Sequence, residues 1–276
     1  MKLSLTATPS QARFAPILWR GAPEPAFGLA AELGYDGVEL HLRRPSDIDR
    51  VAVRRMARDL GLGIPMIGTG MAVEDGLTFS DPDAEVRRRA VVRLREQIEL
   101  GVYLGAMAVI GSIKGKLGSD PEVRVNRLAL IRSCCEECVR AAEAANTVLL
   151  IEAINRYETD YLNTLEEVAS LIRAIGSPNL KLLVDTFHMN IEEVDIAASL
   201  RQAGGMIGHV HLVDTNREAP GHGHLDIPGV LSALSDVNYQ GYLSLECLPL
   251  PDARRAAEDG IRTLRPLLQS LLRKPV

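Results

Sequence analysis

The chain has 276 residues, 46% of them hydrophobic and 24% charged, with a net charge of −5. Composition and length suit a soluble protein with a large core. No basic run marks a nucleic-acid footprint, and no apolar run approaches the roughly 20 residues needed to cross a bilayer.

The N-terminal MKLSLTATPS carries one lysine followed by strand-like alternation, so no signal peptide is expected. KLSLTA, residues 2–7, is the first expected strand. One rhythm then recurs: an amphipathic helix ends at Gly or Asn, and a short apolar strand follows. The later strands are VELHL (38–42), IPMIG (64–68), MAVIG (107–111), VLLIE (148–152), LKLLVD (180–185), MIGHVHLV (206–213) and YLSLE (242–246). Residues 83–102 and 163–176 read as helices, the second with Asn163 or Thr164 as N-cap and Glu166 and Glu167 in its first turn. The last helix is expected from about 252 to 273. Eight such units predict an α/β fold, a single (β/α)8 TIM barrel, as one domain over residues 1–276. The competing open doubly wound sheet lacks a phosphate-binding glycine loop after its first strand.

Three of the four cysteines, Cys134, Cys135 and Cys138, crowd one helical pattern, and Cys247 lies far away. No second Cys/His cluster has partner spacing, so they read as packed, reduced thiols of a cytoplasmic protein.

In such barrels the chemistry sits at the C-terminal ends of the strands. The stretch KLLVDTFHMN (181–190) shows this, because a buried apolar strand stops at Asp185 and His188 follows three residues later. A carboxylate at the end of a core strand is costly unless something pairs with it. Strand ends 5 to 8 supply Glu152, Asp185, His211 and Glu246. Three converging carboxylates repel one another, a difficulty that a divalent cation removes. Oxygen ligands with one imidazole suit Mn²⁺ or Mg²⁺, with Co²⁺ compatible, better than zinc. The alternative is four separate residues meeting loop amides or helix N-termini. Five of the six histidines fall between 188 and 224, with only His41 elsewhere. His209 and His211 share a strand face. His211, nearer the strand end, is the expected ligand, and His209 the core or supporting histidine.

Two loops carry further basic residues. GSIKGKLG (111–118) holds Lys114 and Lys116, read as a solvated flexible loop, with a substrate phosphate or carboxylate site as the other reading. PGHGHLD (220–226) places His222 and His224 at a pocket entrance or in solvent.

The segments IEAINRYETDYLNT, VDTFHMNIEE, HVHLVDTNREAPGHGHLD and LSLEC resemble the xylose-isomerase-like sugar isomerases and epimerases, most of all the ketose (tagatose/psicose) 3-epimerases. The resemblance runs over about residues 148–250. It implies a metal, Mn²⁺ first, held by Glu152, Asp185, His211 and Glu246. It implies sugar contacts from Glu158, His188 and Arg217 around the carbonyl end. Glu152 and Glu246 would be the acid–base pair that inverts C3 of a ketose through a cis-enediolate. For Glu158 and Arg217 the residues alone suggest a loop ion pair instead. A homodimer or homotetramer acting on a small sugar is also implied.

The segment Glu246-Cys247-Leu248-Pro249 lacks the phenylalanine of the family's MEPF-like strand end, which leaves the substrate open. Aldose–ketose isomerisation (hydroxypyruvate-type included) and a dehydratase or lyase reaction on a keto-sugar or inosose are the alternatives on the same site. A nuclease resembling endonuclease IV is disfavoured by the acidic charge. A non-catalytic sugar-binding barrel is disfavoured by the Glu152/Glu246 pair.

Overall fold

The computed structural model describes residues 1–13 and 16–271. Eight parallel strands close on themselves. They are β1 (Lys2–Thr8), β2 (Gly37–His41), β3 (Met66–Gly68), β4 (Met107–Ile110), β5 (Leu149–Glu152), β6 (Leu180–Asp185), β7 (Ile207–His211) and β8 (Tyr242–Leu245). Closure is the pairing of β1 with β8, with Ser4 opposite Ser244 and Leu5 opposite Leu245. A two-residue strand, Trp19–Arg20, pairs with the end of β1. The expected eight-stranded α/β barrel is therefore the observed architecture.

Eight helices wrap the barrel: α1 (Pro23–Leu33), α2 (Arg50–Asp59), α3 (Ala84–Leu104), α4 (Pro121–Ala144), α5 (Leu165–Ile175), α6 (Ile196–Ala203), α7 (Ile227–Asp236) and α8 (Ala253–Leu271). The end of the expected last helix, beyond residue 271, lies outside the described residues. The helices start where the sequence supplies caps. Asp49, Asp83, Asp120, Asp195 and Asp226 accept first-turn amides, and Thr164 forms a capping box with Glu167. Gly34, Gly105 and Gly176 end α1, α3 and α5 in the left-handed region. No helix among the described residues is long and apolar enough to cross a membrane.

Strand alternation divides the core into two layers. Outward residues such as Leu5, Leu40, Ile67, Ile151, Val184 and Leu245 join the helices in the main core. Met66, Val109, Leu150 and Leu183 form a separate cluster inside the barrel. Above it the inward positions turn polar. Cys134, Cys135 and Cys138 on α4 are buried free thiols, and so is Cys247.

One irregularity positions the site. Leu182 pairs with Ile207, yet Leu183 pairs with His209, so Gly208 is an extra residue in β7. Ile207 packs outward, and strict alternation from it would turn His209 and His211 outward too. The bulge turns both inward. Only glycine fits there, because a Cβ on residue 208 would lie 2.6 Å from Leu150 Cδ2 and 2.7 Å from Lys181 Cβ.

Candidate active site

The inward positions at the C-terminal ends of β5 to β8 bring Glu152, Asp185, His211 and Glu246 around one point. Glu152, Asp185 and His211 each offer a ligand atom within 4.8 Å of one another. Glu246 Oε2 lies 3.6 Å from His211 Nδ1. Asp185 Oδ1 accepts from the Phe187 amide at 2.8 Å and caps a short helix, Thr186–Glu192, that the sequence had not signalled. Asp185 Oδ2 and His211 Nδ1 are buried without a hydrogen-bond partner and lie 3.9 Å apart. An unpartnered carboxylate oxygen and an unpartnered imidazole nitrogen facing each other among carboxylates are donor atoms that a hard divalent cation would take up, displacing any proton on the ring.

The protein's own groups relieve the crowding with protons. Burial raises the Glu152 carboxyl to about 8, and the Glu246 charge adds to it. Burial raises Asp185 to about 6 against the pull of Arg217. Burial works against the His211 imidazolium, but Glu39, Glu246 and Asp185 together hold its pKa up to about 10.

Beneath the carboxylates lies an arrangement that the sequence reading missed. Glu39 on β2 is fully buried and receives three imidazoles: His41 Nε2 at 2.8 Å, His209 Nε2 at 2.7 Å and His211 Nε2 at 3.0 Å. A carboxylate is acceptor-only, so each of these nitrogens donates. That directs His211 Nδ1 toward Asp185 and Glu246 and fixes the ring. His209 also meets Ser244 Oγ at 3.1 Å, which makes it part of the support. The available signal was VELHL itself, in which Glu39 and His41 alternate onto one face as His209 and His211 do.

His188 is buried on the short helix, with Nε2 3.8 Å from Glu152 Oε1 and 3.7 Å from Asp185 Oδ2. Asn155, also missed, sets its tautomer. The Tyr157 amide donates to Asn155 Oδ1, so Asn155 Nδ2 donates to His188 Nδ1 at 2.7 Å and leaves the proton on Nε2. Burial, with Arg217 nearby, holds the His188 pKa well below the usual histidine range, so the ring is a neutral donor. Arg217 sits in the left-handed region at φ 62, uncommon for a long side chain. It donates to Glu158 Oε1 at 3.1 Å and Glu246 Oε2 at 3.3 Å and stacks over Phe187 at 4.6 Å. Glu158 and Arg217 thus do form an ion pair, but at the cavity wall. The cavity measures about 110 Å³, and all the predicted residues except the fully buried Asp185 line it, with His41, Ile17, Thr69 and Met71 from the early strands and loops.

Lys114 corrects the expectation of a solvated loop. It is fully buried, with Nζ 3.2 Å from the Glu152 carbonyl and 3.4 Å from that of Gly111. Burial lowers its pKa to about 8. Lys116 is exposed. His222 bonds Asp259 on α8 at 3.1 Å, His224 is exposed, and neither lines the cavity.

Comparison with known proteins adds a decisive observation. A family profile described as xylose isomerase-like TIM barrel matches residues 27–267. The chain belongs to that family. The L-ribulose 3-epimerase of Mesorhizobium japonicum is 33% identical over 216 residues, 78% of this chain and 72% of that protein. The D-psicose 3-epimerase of Enterocloster bolteae is 32% identical over 225 residues, 78% of this chain and 73% of that protein. A solved structure of an L-ribulose 3-epimerase superposes with a TM-score of 0.81 at 25% identity, covering 99% of this chain and 96% of that one. These xylose isomerase-like relatives are named epimerases, and this family member is an enzyme.

Proposed function

We propose that the protein is a divalent-metal-dependent ketose 3-epimerase that inverts C3 through a cis-enediolate, with Glu152 and Glu246 as the acid–base pair. The observation that carries the reading is the orphaned pair Asp185 Oδ2 and His211 Nδ1, facing each other between the two glutamates. The names of the relatives support the substrate class. Glu152, Asp185, His211 and Glu246 would hold the ion, manganese first, with magnesium or cobalt(II) compatible with the same donors. When bound, it supplies Lewis-acid stabilisation of the charge that develops on the sugar oxygens next to C3.

The chain's own residues do the rest. Glu152 leaves β5 and Glu246 follows β8, so the two carboxylates reach the cavity from different sides of the barrel mouth. One takes the C3 proton and the other, already protonated, returns it from the far face. The His188 Nε2–H and the Arg217 guanidinium are donors for the developing oxyanion. Glu158 holds Arg217 in place. A homodimer or homotetramer belongs to the same reading, and light scattering tests it.

The experiment is deuterium incorporation. Manganese-loaded protein is incubated in D₂O with fructose, tagatose, psicose, ribulose, xylulose and erythrulose, and the label is located by mass spectrometry. Deuterium at C3 with appearance of the 3-epimer is expected. Label at C1 or C2 with an aldose product would make it an aldose–ketose isomerase, and loss of a β-hydroxyl would make it a lyase.

A further inference from the structure

The loop after β4, residues 111–118, is latched on both sides. The Phe79 amide donates to the Ile113 carbonyl at 2.9 Å, and the Lys116 amide donates to Ser80 Oγ at 3.1 Å. Thr159 Oγ1 donates to the Gly115 carbonyl at 3.1 Å. The amides of Leu117 and Gly118 donate to the Asp160 carboxylate at 2.7 and 2.8 Å. So fastened, the loop walls a second compartment of about 330 Å³. This compartment shares Ser112, Ile154 and Glu158 with the cavity over the carboxylates. That cavity, at about 110 Å³, is smaller than sites that enclose a whole ligand, which run to roughly 300–1,000 Å³. The two together fall in that range.

The second compartment has unbalanced charge. Lys116 and Arg127 line it, and neither forms an ion pair among the described residues. Arg127 Nη1 donates to the Lys116 and Leu117 carbonyls at 3.5 and 3.1 Å, which fixes the half-buried guanidinium at the loop edge. Of the two carboxylates in the lining, Glu158 is taken by Arg217, and Asp81 lies within ion-pair distance of neither cation but accepts the Asp83 amide at 2.9 Å. With Glu158 paired to Arg217, the lining sets the two cations against the one carboxylate of Asp81, an excess of one positive charge. A two-oxygen anion matches the free edge of a positioned guanidinium.

We infer that this compartment is a subsite for an anionic group, phosphate or carboxylate, carried by the sugar at the end remote from the reacting carbon. The identity of the reacting end rests on the epimerase reading; the subsite does not.

The test is calorimetric binding of sorbitol, sorbitol 6-phosphate and gluconate to the manganese-loaded full chain and to its Arg127→Ala and Lys116→Ala variants. At least one anionic probe binds about tenfold or more tighter than sorbitol, and the Arg127→Ala change removes most of that advantage. The anion that gains names the group. Equal affinity for all three probes overturns the inference. So does an advantage that both variants retain, because the anion would then be held elsewhere. None of the probes has a C2 carbonyl, so turnover is not required. Absent C3 exchange with an intact, Arg127-dependent anion preference would sink the reaction and leave the subsite standing.

Discussion

His211 Nε2 lies 3.0 Å from Glu39 Oε1, a contact between β7 and β2 on opposite sides of a fully buried barrel interior. The same carboxylate receives His41 and His209. Glu39 therefore fixes which nitrogen of His211 faces the three other ligand-type residues. Glu39→Gln cannot accept three N–H groups without exposing an amide donor to one of them. Manganese affinity, measured by calorimetry, should fall about 10–100-fold. An unchanged affinity would mean that the His211 ring is held by packing alone.

Metal removal should destabilise the fold. Glu152, Asp185 and Glu246 crowd one point, and a cation that binds only the folded chain adds its binding free energy to stability. At about 100 times its dissociation constant, manganese should stabilise by about 2.7 kcal/mol, or about 5–10 °C in Tm for a chain of this size. Melting curves of chelated and manganese-loaded protein give the difference directly. Coincident curves would count against a cation at this point.

The acid–base pair predicts equal dependence on both carboxylates. Glu152→Gln and Glu246→Gln should each lower turnover by at least about 10²–10⁴-fold. Metal content must be measured alongside, since both residues are also expected ligands. Near-normal turnover of Glu246→Gln with metal bound would falsify the assignment.

Asp160 fastens the loop that carries Lys114 and Lys116. Burial raises its pKa, but the Leu117 and Gly118 amides and the Arg124 charge outweigh burial and hold the carboxyl below its usual value. A carboxyl depressed in the folded state contributes stability above its unfolded pKa, about 3.9, and loses it as pH falls through the lower folded value. Asp160→Ala should cost about 1–2 kcal/mol at neutral pH through the two unpaired amides. The difference from the parent should shrink in acid denaturation below about pH 4. A constant difference across that range would assign the effect to packing.

Much of the fold was legible because barrel strands and their helices repeat a local code. Aspartate caps, glycine stops and short apolar runs each act within a few residues of chain, and all eight strands fall on the expected segments. Glu152, Asp185 and Glu246 stood out because each charge ends an apolar run. The helix Thr186–Glu192 did not, because it is seven residues long and is started by the ligand-type Asp185 itself. Lys114 looked like a loop lysine amid glycines, yet it is buried under Glu152.

The sequence by itself determined the barrel, the inventory of ligand-type residues and the end of the barrel where they gather, since alternation and capping are short-range properties. Only the tertiary structure decided which way they face. Glu39 and His209 are 170 residues apart, and their contact exists only once the barrel is closed. The single extra residue at Gly208 turns His209 and His211 inward, a choice of face that a period of two leaves open until neighbouring strands fix the register.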